Sequence, residues 1–297
     1  MDLDEHRPAL GAYCYRMLGS PFDAEDAVQE TFLRAWRSRE GYDPARSLRT
    51  WLYAIATNVC LDALRAAKRR AGPLRGDPST PGPDIGAPLP ETAWVLPAPV
   101  DPAVAAEERA SVRLAFVVAL QALPPRQRAA LVLRDVLAFS AAEVAELLST
   151  TVASVTSALQ RARAALPAVP DAEEPDQAVL DAYCAAFHAH DVEAIVALLH
   201  EDATTSMPPF TWWLRGRADI AAVLAHGDHC VGHRLVPVRV NGAPAFAQYD
   251  ADGSAFALVQ VETAGGGVVA ETTWLMPSLF PAFDLPMSSP AAARSSG

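Results

Sequence analysis

Two groups of side chains in this chain have the types and spacing to read nucleic acid. The first lies near the middle. Val155, Leu159, Ala162 and Leu166 repeat at helical spacing from about Val152, which leaves Ser154, Ser157, Gln160, Arg161 and Arg163 on the other face. Short hydroxyls let a helix approach base edges, and arginine reaches guanine or phosphate. The second group is nearer the start. Arg49, Thr50, Tyr53, Thr57, Asn58, Asp62 and Arg65 fall outside the apolar stripe of a longer helix, which is followed by Lys68, Arg69 and Arg70. Rings stack on bases, an amide reads base edges and cations hold phosphates, so this face suits strand-separated DNA. On spacing alone, the first group is equally compatible with a plain three-helix packing unit, and the second with a solvated helix face.

Positioning the first group requires three short helices between Leu123 and Leu166. Pro124-Pro125 suits a helix start, and Ala129, Val132, Leu133, Val136 and Leu137 form its inward side. Ser140 with Glu143 three residues on is a capping box. It opens a helix that buries Val144, Leu147 and Leu148 and stops at Ser149-Thr150-Thr151. A short second helix propping a third is the helix-turn-helix arrangement, whose third helix enters the major groove.

Positioning the second group requires the first 70 residues. Leu10, Tyr13, Cys14, Met17 and Leu18 predict an amphipathic helix ended by Gly19-Ser20-Pro21. The next helix is expected from Asp23 as its N-cap, with Ala27, Val28, Phe32, Ala35 and Trp36 inward and Asp26, Gln29, Glu30 and Leu33 outward. Ser47 caps the longer helix to about Ala67, whose inward set is Leu48, Trp51, Leu52, Ile55, Ala56, Val59 and Ala63.

The formal charge of −11 is unevenly spread over the 297 residues. Residues 1–75 hold 12 Lys/Arg against 10 Asp/Glu, and residues 107–166 hold seven against five. Residues 167–297 hold five against 16 and so carry the whole deficit. Such asymmetry speaks to partners rather than fold. No apolar run approaches the roughly 20 residues of a membrane span, and the acidic start MDLDEHRPAL does not read as a signal peptide. Cys14, Cys60, Cys184 and Cys230 form no CxxC pair, so reduced thiols in a cytosol are the default and no metal or cofactor is expected.

Residues 71–106 are rich in proline and glycine and are expected to form an extended linker. Within it, Trp94-Val95-Leu96-Pro97 is an apolar patch that a flexible spacer does not need. A helix is expected from Glu107 through Val112, Phe116 and Leu120. After an acidic hinge at 168–176 come two helices, to about His190 and from Asp191 to Leu199, then a strand near Ala203–Met207 and a helix Ala218–Leu224. Alternating runs at His233–Val240, Ala245–Tyr249, Ala255–Glu262 and Val268–Trp274 follow, broken by turn signals such as Asn241-Gly242. Helices followed by a strand meander predict an α+β domain with the sheet curled over the helices.

Three stretches resemble known families. LPPRQRAALVLRDVLAFSAAEVAELLSTTVASVTSALQRARAAL resembles region four of the extracytoplasmic-function sigma factors, which binds the minus-thirty-five promoter element. The family often has glycine in the turn where this chain has Ser149, a small cost if that turn avoids positive φ. DAEDAVQETFLRAW and SLRTWLYAIATNVCLDALR resemble region two of the same family. MPPFTWWLRGRADIAAVL and ETTWLMPSLFPAFDLP resemble the SnoaL-like cone-shaped barrels.

The resemblance implies a multidomain chain: two all-α sigma domains and an α+β SnoaL-like barrel. The divisions would be region two at 1–70, a linker at 71–106, region four at 107–167, a hinge at 168–176, the barrel at 177–287 and a tail at 288–297. Asp26, Gln29, Glu30 and Leu33 would dock on the β′ clamp of core RNA polymerase, with the β flap as a further contact. Arg49, Tyr53, Asn58, Asp62, Arg65, Lys68 and Arg69 would read the minus-ten element, Asn58 at the place of a base-reading asparagine. Arg126, Thr151, Ser154, Ser157, Arg161 and Arg163 would read the minus-thirty-five element.

The fused barrel would regulate rather than catalyse. Trp94 and Leu96 would anchor a closed state, and a small ligand of the cone is a further possible partner. The competing readings are a SnoaL-type cyclase or isomerase, with Asp228, His229, His233 and Arg215 as its polar groups, and a ligand-sensing helix-turn-helix regulator.

Overall fold

The first helix, α1 (Arg7–Leu18), ends because Gly19 takes φ 72°, and its N–H bonds back to the Tyr15 carbonyl at 2.7 Å. Left-handed backbone of this kind favours glycine. The computed structural model describes residues 3–43, 47–66, 69–99, 113–167, 174–225 and 230–289. They form two compact units: residues 1–70 with 95–170, and residues 71–94 with 171–297.

In the first unit, α2 (Pro21–Arg37) begins at Ser20, whose hydroxyl accepts the Asp23 N–H at 3.3 Å. The expected cap at Asp23 is thus corrected. Pro21, with its preset φ, starts the helix two residues earlier. Asp23 is left to pair with Arg70 at 2.5 Å. The inward face is Ala24, Ala27, Val28, Thr31 and Ala35. Trp36, expected inward, lies about 100° further round; it is 60% exposed and stacks with Arg39 at 4.3 Å.

Helix α3 (Leu48–Ala66) packs Leu52, Ala56 and Cys60 into the core formed with Leu10, Tyr13, Cys14 and Met17 of α1. Ala63, expected inward, is exposed, and Leu61 is buried instead. All four cysteines are free thiols. A hydrogen bond to Cys60 and burial raise the pKa of Cys14.

The same unit continues with α4 (Leu114–Gln121) and α5 (Pro125–Leu131). The start expected at Glu107 lies outside the described residues. A π turn at Val132–Val136 follows α5. Helix α6 (Ala141–Leu147) opens with the expected capping box: the Glu143 carboxylate accepts the Ser140 N–H at 2.7 Å, and the Ser140 hydroxyl accepts the Glu143 N–H at 3.2 Å. Helix α7 (Val152–Ala165) is capped by Thr151, whose hydroxyl accepts the Ser154 N–H.

The turn between α6 and α7 overturns one expectation. Ser149 sits at φ 50°. The Thr150 N–H bonds to the Ala145 carbonyl and the Ser149 N–H to that of Glu146. These two bonds form a Schellman ending, which places its capping residue in left-handed backbone.

The second unit holds α8 (Gln177–Ala189), α9 (Val192–Leu198) and α10 (Arg217–Leu224) against a six-stranded sheet. Its strands are β1 (Leu199–Ser206), β2 (Trp213–Arg215), β3 (Arg234–Val240), β4 (Ala243–Tyr249), β5 (Ala255–Ala264) and β6 (Gly267–Trp274), in the order β2-β1-β6-β5-β4-β3. Among these six strands β1 and β6 pair in parallel, and the other neighbours are antiparallel. The β3–β4 hairpin turns at Asn241 and Gly242, both at positive φ, as the Asn-Gly signal predicts. Val179, Leu180 and Tyr183 of α8 share one core with Leu214, Phe246, Val259 and Val261 of the sheet.

The stretch 71–94 belongs to this unit. Beyond a turn at Glu91–Ala93 and a bridge between Ala71 and Trp94 it has no regular element, yet it is not a loose spacer. The Ser79 N–H bonds to the Trp213 carbonyl at 2.7 Å, the Leu89 N–H to that of Pro209 at 2.9 Å, and the Ser278 hydroxyl to Glu91.

Candidate nucleic-acid interface

The third helix of the helix-turn-helix presents what its spacing predicts. Val155, Leu159 and Ala162 of α7 are buried, while Thr151, Ser154, Ser157, Gln160 and Arg161 are exposed. Leu166, expected inward, is only half-buried. Among the described residues Arg161 makes no ion pair. Two arginines of the expected reading set are committed elsewhere. Arg163 forms a two-pronged pair with Asp135 at 2.7 and 3.0 Å, fixing α7 to the π turn. Arg126 donates to the Leu148 carbonyl at the end of α6.

The N-terminal face is more divided. Asn58, Asp62, Arg65 and Arg69 are exposed. Asp62 bridges Arg65 at 2.7 Å and Arg34 at 3.3 Å. Lys68 lies outside the described residues. Tyr53 and Thr57, expected outward, are buried. Thr57 meets the Tyr13 hydroxyl at 2.7 Å and donates to the Tyr53 carbonyl at 2.6 Å. The Tyr53 ring packs edge-on against Phe139 at 5.4 Å. Arg49 caps that contact: its guanidinium stands 4.2 Å from the Phe139 ring and donates to the Leu137 carbonyl at 2.9 Å. Part of the expected DNA face of α3 is therefore covered by the loop before α6.

A second tie joins the same two halves. Buried Arg128 of α5 donates to the Met17 carbonyl at the end of α1 and to Gln121. The Gln121 amide donates to the Arg16 carbonyl at 3.2 Å. Leu96 is also docked on α1, its N–H on the Gly19 carbonyl and its carbonyl accepting the Tyr15 hydroxyl at 2.8 Å. Trp94 is fully buried. Phe139, Gln121 and Arg128 carried no distinguishing signal, because each fits an ordinary amphipathic pattern.

On α2, Asp26, Gln29 and Leu33 are exposed, and half-buried Glu30 accepts from Arg34 at 2.6 Å. These four residues form a mixed acidic and apolar surface strip.

In the second unit, two of the four expected polar candidates of the cone are described, Arg215 and His233. Asp228 and His229 lie outside the described residues. Arg215 is exposed over the Trp213 ring. His233 contacts Gln248 at 3.0 Å, and burial lowers its pKa. The pair inside the cone is a different one: Tyr183 of α8 donates to Glu271 of β6 at 2.7 Å, and the Thr273 hydroxyl reaches the other carboxylate oxygen at 3.2 Å. Burial raises the pKa of both groups, with the nearby carboxylate adding to the shift of Tyr183. Tyr183 sits in an apolar stripe and Glu271 in an alternating strand, so neither stood out in the sequence. Both oxygens are engaged by the chain's own hydroxyls, which suits a satisfied interior pair. Among the described residues no cluster could hold a metal ion, and no helix is long and apolar enough to cross a membrane.

The chain matches the models of three families: Sigma-70 region 2 over residues 3–70, Sigma-70 region 4 over 113–166, and the SnoaL-like domain over 180–276. It is 42% identical to the ECF RNA polymerase sigma factor SigG of Mycobacterium tuberculosis, across 96% of this chain and 83% of that protein. It is 36% identical to the ECF RNA polymerase sigma factor SigJ of the same organism, across 75% of this chain and 67% of that protein. The crystal structure of Mycobacterium tuberculosis SigJ superposes with a TM-score of 0.65 at 26% identity, covering 97% of this chain and all of that one. With two sigma regions in order and a relative 42% identical across 96% of the chain, the chain belongs to the extracytoplasmic-function sigma factors of RNA polymerase.

Proposed function

We propose that the chain binds core RNA polymerase through the strip Asp26, Gln29, Glu30 and Leu33, reads the minus-ten element with α3 and reads the minus-thirty-five element with α7. The observation that carries this reading is the ordered pair of regions 3–70 and 113–166 in one chain. On α7 the reading set is Ser154, Ser157 and Arg161. Thr151 has a capping role, and Arg126 and Arg163 shape the scaffold. On α3, Asn58 and Arg65 are presented to DNA directly, while Arg49 and Tyr53 join only once the Phe139 contact opens. The acidic C-terminal domain, with 16 acids against five bases beyond residue 166, regulates these steps in cis and does not catalyse.

The test is run-off transcription with core polymerase and the variant Asp26→Lys/Glu30→Lys. Removing the Glu30–Arg34 pair costs only about 0.3–0.5 kcal/mol in a surface helix, so the fold survives. Loss of co-purification with core and of the transcript is expected. Wild-type association by the double variant would refute the assignment of this strip.

A further inference from the structure

Between the two halves of the sigma unit lies a cavity of about 400 Å³. Small-molecule pockets typically span roughly 300–1,000 Å³. Its lining includes three cations, Arg69, Arg70 and Arg128, and Asp23 is the one carboxylate among the lining residues. Asp23 offsets Arg70, with which it pairs at 2.5 Å. Among the described residues, Arg69 and Arg128 have no carboxylate within ion-pair distance.

Arg128 is 3% exposed, yet it spends its donors on neutral acceptors: the carbonyls of Met17, Gln121 and Leu123 and the side-chain oxygen of Gln121. Its Nε has no acceptor. Burial, together with the neighbouring Arg69, lowers its pKa to about 10, so it stays charged at neutral pH. A buried cation facing a second cation without an anion is an arrangement that proteins otherwise avoid. Guanidinium forks match the oxygens of phosphate.

The lining also holds the apolar side chains of Leu18, Leu64, Leu123, Pro124 and Pro125. An inorganic ion would answer the cationic charge and leave these side chains uncovered. A molecule with a phosphate group and a flat, weakly polar body would cover both.

We propose that this cavity binds a phosphorylated small molecule of the nucleotide class, its phosphate on Arg69 and Arg70 within the field of the buried Arg128 charge and its body on the apolar lining residues. The site exists because α1 and α3 meet α4 and α5. A ligand held there binds the closed pairing alone and opposes its opening by mass action. The sigma factor would thus answer to a nucleotide pool without a second protein.

The test uses the full-length chain without polymerase or promoter DNA. Titration calorimetry at fixed ionic strength compares inorganic phosphate, pyrophosphate, nucleoside mono-, di- and triphosphates, the unphosphorylated nucleosides and a short DNA duplex. Saturable binding of a nucleotide at one per chain is expected, with Kd below about 100 μM, together with a raised melting temperature and no response to nucleosides. Arg69→Gln at the exposed rim should weaken that binding about tenfold by removing a charge-assisted contact. Ala63→Trp, which fills the cavity without altering charge, should abolish nucleotide binding; circular dichroism confirms that both variants are folded. The proposal is overturned if no phosphorylated small molecule binds saturably, if both variants bind within twofold of wild type, or if duplex DNA alone competes for the arginines. Because polymerase and promoter DNA are absent, failure here leaves the promoter-reading assignment standing, and failure of that assignment leaves this one.

Discussion

Glu271 is the residue where enclosure and charge conflict most plainly in the C-terminal domain. The residue is half-buried, its carboxylate is bonded by the hydroxyls of Tyr183 and Thr273, and its pKa is raised, chiefly by burial. A raised folded-state pKa makes the protonated form the better fit. The contribution is therefore fully present below the ordinary carboxylate value of 4.5 and is lost as pH rises through the folded-state pKa. Glu271→Gln keeps an acceptor for the Tyr183 hydroxyl and removes the charge. It should stabilise the protein by about 1 kcal/mol at pH 7.5 and by almost nothing near pH 4. Melting temperatures of both proteins across that range check it; a gain that does not grow with pH would show that the carboxylate is not strained by its surroundings. At this scale the sequence was legible for residues that face water and less so for those that face each other. Asn58, Ser157 and Arg161 are exposed as their helical phase requires, whereas Tyr53 and Thr57 share that outward phase and are buried because Phe139 and Tyr13 cover them.

At the scale of elements, local chemistry decided most boundaries. The Ser140–Glu143 box, the Asn241-Gly242 hairpin and the Asp191 cap of α9 are each written in a few adjacent residues. The misread boundary was α2, where two valid cap signals compete and Ser20-Pro21 prevails over Asp23. Stretch 71–94 was legible in composition but not in placement, because the partners of Ser79 and Leu89 lie more than 100 residues along the chain. The helix-turn-helix turn supplies the prediction at this scale. Ser149 is exposed and holds φ 50° to complete the Schellman bonds. A non-glycine residue in left-handed backbone costs roughly 1–2 kcal/mol, part of which glycine returns as unfolded-chain entropy. Ser149→Gly should therefore stabilise region four by about 0.5–1 kcal/mol while leaving the exposed face of α7 unchanged. Urea unfolding tests it, and a neutral or lower midpoint would mean that the serine hydroxyl compensates for its backbone.

At the scale of the molecule, the two elements proposed to read DNA meet in a way that the proposed promoter contact would have to undo. The minus-ten and minus-thirty-five elements lie roughly 25 base pairs apart, about 85 Å along B-form DNA. Here the Tyr53 ring of α3 is 5.4 Å from Phe139 in the loop that leads into the helix-turn-helix. On the proposed assignment the sigma unit opens before it spans a promoter, and its closed pairing sets the population able to bind. Nothing in the sequence betrays this, because a surface that packs in one state and reads DNA in another looks like a reading surface throughout. Phe139 is the place to test it, since it belongs to neither reading set. Phe139→Leu keeps the apolar bulk and removes the ring seen by Tyr53 and Arg49. An edge-on aromatic pair and a cation–π contact together are worth about 1–2 kcal/mol, which corresponds to a roughly tenfold rise in the open fraction. Fluorescence anisotropy with a mixed-sequence single-stranded oligonucleotide should then report severalfold tighter binding to the free chain, because Arg49 and Tyr53 are released with the contact. Arg49→Ala distinguishes this from general loosening: it breaks the same closed contact but removes a proposed DNA ligand, so it should open the chain without the gain in affinity. Unchanged oligonucleotide binding by Phe139→Leu, with helical content intact, would show that the pairing does not gate the DNA face.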